Sequence, residues 1–223
     1  SGTSGFGSAL QNIGSMRNSG LEVELNFTPI ETNDVKWTIN ANATFLKNEI
    51  VELHPDLDGE MISGSRIYKE GESVYQFYLA EFVGVDPETG LAQYWALPTD
   101  EDGNVIEGSE EYMTDDWSAA YNTNRKGTGN IMADVYGGIG TTVEFYGFDF
   151  SVQCAYQFGG KMYDNGYASL MHGGSSSDAG QNWHKDILNA WSPENTNTNI
   201  PRLDAIDKYT NSTSTRFLIS SDY

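Results

Sequence analysis

Val35-Lys36-Trp37-Thr38-Ile39-Asn40-Ala41-Asn42-Ala43-Thr44-Phe45 alternates without a fault. On an extended chain Val35, Trp37, Ile39, Ala41, Ala43 and Phe45 share one face. Lys36, Thr38, Asn40, Asn42 and Thr44 share the other. Period two marks a β-strand with one apolar and one polar side. Phe148 to Phe158 repeats the pattern, with Phe148, Phe150, Val152, Cys154, Tyr156 and Phe158 opposite Asp149, Ser151, Gln153, Ala155 and Gln157. Val135 to Phe145 is a looser run, broken by Gly137, Gly138 and Gly140. Leu21-Val23-Leu25-Phe27 is a shorter one. Each of the three long runs holds 11 residues. Strands of soluble proteins are commonly about 5–6 residues, whereas a tilted strand crossing a bilayer needs about 9–11.

The connections carry a second signal. Thr28-Pro29-Ile30-Glu31-Thr32-Asn33-Asp34 reads as a short turn. Leu46 to Asp134 is an excursion of 89 residues, Tyr146-Gly147 a two-residue hairpin turn, and Gly159 to Thr215 a second long excursion. A fifth strand is expected over 216–223. Short and long connections therefore alternate, which puts all turns at one end of the strands and all loops at the other. That is the plan of an outer-membrane barrel. Inside the first loop, Ser73 to Val85 and Leu91 to Leu97 read as strands around the turn Asp86-Pro87-Glu88-Thr89-Gly90. Inside the second, Trp183, Ile187, Leu188 and Trp191 fit one face of a short helix stopped at Ser192-Pro193. Gly173 to Ser177 reads as a loop tip.

Composition agrees. The 223 residues carry a net charge of −20 and are 38% hydrophobic, with no apolar run long enough for a transmembrane helix. The acidity excludes nucleic acid as a partner, since phosphates need a basic footprint. Residues 46–134 hold 19 acidic and 5 basic side chains, net −14, so the charge lies in the first long loop. Ser1 to Ser8 is Gly/Ser-rich without a signal-peptide pattern, and the chain stops inside a strand-like run. Both ends read as cuts.

Candidate chemistry is sparse. The lone Cys154 offers no disulfide, and the three histidines (His54, His172 and His184) lack metal-ligand spacing. Asp56-Leu57-Asp58-Gly59-Glu60 and Asp100-Glu101-Asp102-Gly103 place Gly fourth, not sixth as an EF-hand loop requires, and read as turns. Asp115-Asp116 before Trp117 reads as an N-cap. Catalytic, metal and cofactor sites are all expected to be absent. The glycosylation patterns at Asn26 and Asn42 fall in strands and read as coincidence; a third begins at Asn211. Phe27, Trp37, Phe45, Phe145, Tyr146, Phe148 and Phe158 stand at strand ends, as membrane-interface girdles do. Ordinary sheet packing is the other account of them. Tyr75, Phe77, Tyr78, Tyr94 and Trp95 lie in the first loop, either as its core or as ligand-stacking rings. Tyr94, Trp95, Trp117 and Trp183 are the expected ligand or lid contacts.

An ordered set of motifs spans Asn12 to Tyr223. It includes Asn18-Ser19-Gly20-Leu21-Glu22-Val23-Glu24-Leu25, Gly84-Val85-Asp86-Pro87-Glu88-Thr89-Gly90, Tyr136-Gly137-Gly138, Phe158-Gly159-Gly160-Lys161, Asn182-Trp183-His184-Lys185-Asp186-Ile187, Trp191-Ser192-Pro193-Glu194-Asn195, Pro201-Arg202-Leu203 and Ser214-Thr215-Arg216-Phe217-Leu218-Ile219. With these the chain resembles the C-terminal barrel portion of SusC/RagA-like TonB-dependent outer-membrane transporters of Bacteroidetes-type bacteria. One departure is Ala133, where the family often has Pro before the Tyr-Gly-Gly segment.

The resemblance implies an all-β fold, an antiparallel transmembrane β-barrel segment with long extracellular loops, as a fragment of a larger barrel. Residues 1–223 would form part of one barrel domain, with strands near 21–27, 35–45, 135–145, 148–158 and 216–223 and external loops 46–134 and 159–215. It implies a place in the cell outer membrane, a SusD-like surface lipoprotein as lid, and a TonB complex acting through a part of the protein outside this sequence. The cargo would be a glycan, an oligosaccharide or a peptide. No enzyme activity is implied. The competing expectations are a soluble or surface all-β carbohydrate-binding module and a β-sandwich glycosidase.

Overall fold

The computed structural model describes residues 12–175, 178–205 and 213–223. In chain order its elements are β1 (Gly14–Glu31), β2 (Val35–Leu53), β3 (Glu60–Ser63), β4 (Arg66–Lys69), β5 (Gln76–Ala80), β6 (Phe82–Val85), β7 (Ala92–Ala96), β8 (Tyr112–Thr114), α1 (Trp117–Thr123), β9 (Arg125–Asn130), β10 (Val135–Phe145), β11 (Phe148–Phe158), β12 (Lys161–Tyr163), α2 (Asn165–Leu170) and β13 (Leu218–Ser220). The chain divides into two units, residues 1–76 with 132–160 and 222–223, and residues 77–131 with 161–221.

The first unit is built on a four-stranded antiparallel sheet in the order β1-β2-β10-β11. β10 and β11 meet through a two-residue turn, Phe145 pairing with Phe148. Tyr146 (φ 48°) and Gly147 (φ 85°) both hold positive φ, as a type I′ hairpin requires. The β1–β2 turn closes where the Thr32 backbone N–H donates to the Val35 carbonyl at 2.8 Å. Register shifts between Phe27 and Ile30, around Pro29, which has no N–H to give the ladder. The two turns are neighbours, for the Tyr146 N–H donates to the Asp34 carbonyl at 3.2 Å.

β1 and β2 run beyond the alternating stretches, over Gly14–Gly20 and Leu46–Leu53. There Ile50, Leu53 and Asn48 are buried. The Asn48 side-chain amide donates to Asn18 Oδ1 at 2.7 Å and accepts from the Val74 N–H at 2.9 Å and the Ser73 hydroxyl at 3.2 Å. One buried amide thereby ties residues 73–74 to both strands, all its bonding capacity turned inward.

The second unit carries its own core. Ala80, Ala92, Tyr94, Ala96 and Ala120 form one cluster with Phe82 and Trp117 packed on it. Ala168, Met171, Ile200 and Phe217 form another, flanked by Tyr163, Tyr167 and Ile187. α1 is capped by Asp116, whose carboxylate accepts from the Ser118 and Ala119 N–H groups. The helix expected around 183–191 is a 3-10 turn, Lys185–Asn189, capped by the His184 ring. Leu188 is 86% exposed there, so the apolar face read from spacing is not buried.

One further difference concerns a strand. The fifth strand, expected over 216–223, is a 3-10 turn at Thr215–Phe217 followed by β13, which pairs with β12. Burial of the Phe217 ring turns the chain inward at that point. Tyr223 exchanges two backbone hydrogen bonds with Gln157 of β11. The start at Ser1 to Ser8, residues 176–177 of the expected loop tip and Asn211-Ser212 of the third glycosylation pattern lie outside the described residues.

Candidate functional site

The sheet of the first unit separates its residues by chemistry. Register places Leu21, Val23, Leu25 and Phe27 beside Phe45, Ala43, Ala41 and Ile39. Ala43, Ala41, Ile39, Trp37 and Val35 then meet Gly137, Ile139, Thr141, Val143 and Phe145, which meet Tyr156, Cys154, Val152, Phe150 and Phe148. The opposite face carries Glu22, Glu24, Asn26, Asn40, Asn42, Thr142, Gln153 and Gln157.

The apolar face is uncovered. Leu21, Leu25, Phe27, Phe148 and Phe150 are each 55–69% exposed. Fully burying a large apolar side chain is worth about 1.5–3 kcal/mol, so five left some three-fifths in water forgo roughly 5–9 kcal/mol, on the scale of a domain's whole stability. Polar atoms on this face are paired within it. Trp37 Nε1 donates to Thr141 Oγ1 at 2.7 Å, and the Tyr156 hydroxyl donates to the Asn42 carbonyl at 2.9 Å. Tyr156 lies across Gly137, where a Cβ would strike the Asn42 carbonyl and the tyrosine oxygen. A hydrocarbon solvent demands that pairing, since it offers no hydrogen bonds of its own.

Height agrees as well. From Phe148 to Phe158 the strand rises about 33 Å at ~3.3 Å per residue. A tilt of ~40° leaves roughly 25 Å, the height of an outer-membrane apolar band. Aromatic rings end the band: Phe145 and Phe148 pack 5.9 Å apart at the turns, and Tyr156 and Phe158 pack 5.7 Å apart at the other end.

The four expected contact residues fall in the second unit in different settings. Tyr94 is 1% exposed, edge-on to Phe82 at 6.0 Å. That placement fits the other account of this ring, as part of the loop's own core. Trp95 on β7 is half-buried. Trp117, also half-buried, stacks 4.6 Å from Tyr121 and donates its indole N–H to the Thr213 carbonyl at 3.0 Å. Trp183 is 47% exposed, stacked on the buried His172 at 5.0 Å and donating to its carbonyl at 3.0 Å.

Sequence reasoning missed what fixes these loops. In the turn 86–90, Asp86 accepts from the Glu88 N–H and the Thr89 hydroxyl, which holds its carboxyl below the ordinary range. Trp191 donates to the Pro87 carbonyl at 3.0 Å and lays its ring where a Gly90 side chain would be. Arg202 closes the turn through the Thr89 carbonyl at 2.9 Å. Lys126 lies 2.8 Å from Glu111 and 3.1 Å from Glu81. Its bond to Glu111 raises the ammonium and lowers that carboxyl. Arg125 is sandwiched between Tyr78 and Tyr121, its Cζ 4.8 Å and 4.1 Å from their ring centres. Among the described residues, no group of three or more His, Cys, Asp or Glu side chains is arranged to hold a metal ion.

Fold and exposed face together define an all-β, antiparallel segment of transmembrane barrel wall with long loops. No family model matches the chain. It is 30% identical to the TonB-dependent receptor P3 of Formosa agariphila over 209 residues, 89% of this chain and 20% of that receptor. It is 27% identical to the TonB-dependent receptor SusC of Bacteroides thetaiotaomicron over 154 residues, 63% of this chain and 14% of SusC. Among solved structures, a chain of the RagAB peptide transporter superposes with a TM-score of 0.75 and 28% identity, covering 98% of this chain and 23% of that one. The chain is thus similar over most of its length to SusC/RagA-like TonB-dependent receptors, and it spans about a fifth of the length of the relatives P3 and RagAB.

Proposed function

We propose that this chain is a wall-and-loop segment of an outer-membrane transporter that takes up a peptide or glycan in a TonB-dependent cycle. The observation that carries the reading is the exposed, largely apolar face running across β1, β2, β10 and β11 opposite a polar one. RagAB, a peptide transporter, supports peptide cargo, and SusC supports the TonB-dependent class. In this reading the polar face lines the lumen. The hairpin turns at 32–34 and 146–147 face the periplasm, and the connections after β2 and β11 face outward. Residues 1–223 belong to one barrel domain, and the outward loops meet a SusD-like lipoprotein lid and the cargo. Trp183, the most exposed indole of the expected set, is the proposed contact, with Trp95 and Trp117 as secondary ones. No catalytic step or cofactor is assigned.

Membrane-impermeant maleimide on intact cells tests the topology. A cysteine placed at residue 102 is expected to label and one at residue 147 to stay unlabelled. The reverse pattern contradicts the reading, and so does a chain that is soluble and monodisperse without detergent.

A further inference from the structure

The apolar face ends abruptly on an ionic cluster. Away from the turns it runs Leu25 beside Ala41, Val23 beside Ala43 and Leu21 beside Phe45, then Ser19 beside Lys47 and Arg17 beside Glu49. Lys47 Nζ and Arg17 Nη2 lie 2.9 Å and 3.4 Å from the same Glu49 oxygen. Both cationic side chains remain about two-thirds exposed (67% and 64%), so most of their donors face outward.

A notch opens beside them. β10 pairs with β2 no further than Thr44, while β2 runs on to Leu53. The resulting hollow of about 520 Å³ has Leu21, Phe45 and Leu46 in its wall, with Lys47 and Asp134 as its charged members. Gly20 also lines it, and a Cβ there would run into the Phe45 carbonyl of the paired strand. Arg17 and Lys47 balance Glu49 and Asp134, so the site carries both signs and no net charge.

We propose that this notch holds the headgroup of a membrane lipid in which a phosphate sits beside a primary ammonium. Lys47 and Arg17 take the phosphate through charge-assisted bonds. Asp134 accepts from the ammonium, and the acyl chains continue along Leu21 and Phe45. A lipid with a bare phosphate would set its charge against Asp134, and a trimethylated ammonium gives that carboxylate no N–H. The proposal rests on the lipid-facing reading of the sheet.

The test uses the intact receptor carrying this segment, reconstituted in nanodiscs with equal phosphatidylethanolamine and phosphatidylcholine. Lipid retained after extraction is counted by native mass spectrometry. Phosphatidylethanolamine is expected to be kept about tenfold over phosphatidylcholine, one well-made charged hydrogen bond's worth. Asp134→Asn is expected to erase the preference, and Lys47→Gln to lower retention of both lipids. Equal retention by the unmodified receptor, or a preference that survives Asp134→Asn, overturns the proposal. A nitroxide on Cys154 separates the two readings. Water exposure there overturns the lipid-facing sheet, whereas lipid exposure without headgroup preference overturns the notch alone.

Discussion

The sheet β1-β2-β10-β11 and the second unit draw on the same residue types and keep them in opposite places. On the sheet, Phe148, Phe150 and Leu21 stand exposed. In the second unit Tyr94, Phe217 and Leu79 are the largest sealed side chains, and its polar groups tie turns together. One region hides apolar surface in its surroundings, the other in itself. The first is a fold for hydrocarbon, the second a fold for water, and a single chain alternates between them.

The largest expected effect lies on the water side. Tyr94→Ala should cost the second unit about 3–5 kcal/mol, the range of core aromatic truncations. It should be seen as early protease cleavage within 77–131. Preserved resistance with lost cargo binding would restore Tyr94 as a contact residue. Next comes the pair Val152→Arg and Ser151→Arg, neighbours on opposite faces of β11. In lipid the first should cost about 2–4 kcal/mol, as a cation at the bilayer midplane does. The second should change stability several-fold less in an unfolding titration from bilayers. Equal effects would erase the distinction between the faces.

Smaller changes sharpen it. Gly90→Ala places a methyl group into the Trp191 ring at a φ of +75°. It should cost about 1–3 kcal/mol, visible as faster hydrogen exchange at residues 86–91. Tyr156→Phe removes the bond to the Asn42 carbonyl and should cost about 1 kcal/mol, read in the same bilayer titration as Val152→Arg. The smallest effect is acidic. Glu111 is held below its ordinary 4.5 by Lys126, so its ionised form favours the folded state. That contribution is complete above pH 4.5 and lost as pH falls through the lowered value. Both partners are more than a third exposed, and solvent screening keeps the effect under about 1 kcal/mol. Glu111→Gln should flatten this acid limb of the thermal stability curve.

Alternation is legible only where lipid enforces it. Val35 to Phe45 and Phe148 to Phe158 could be read residue by residue because every second side chain faces hydrocarbon. Gly14–Gly20 and Leu46–Leu53 extend the same strands with no such pattern, since Arg17, Ser19, Lys47 and Glu49 occupy the positions where apolar residues would continue it. The alternating stretches therefore stop short of the strand ends. The aromatic contacts were harder still. Tyr94 and Trp95 are adjacent in sequence, yet the alternation of β7 seals Tyr94 and leaves Trp95 half-buried. Which of the two faces the core depends on β6 and α1 packing on β7, a tertiary fact that local spacing does not contain.

Cys154 gives the most direct test. It is the one cysteine of the chain, exposed in the apolar face opposite Ile139. A nitroxide attached there, with the receptor in bilayers, reports its solvent through relaxation by oxygen and by a water-soluble nickel chelate. Strong oxygen and weak nickel relaxation is the expected result, with the reverse at a label replacing Gln153. Strong nickel relaxation at Cys154 would put this face in water and contradict the membrane-wall account.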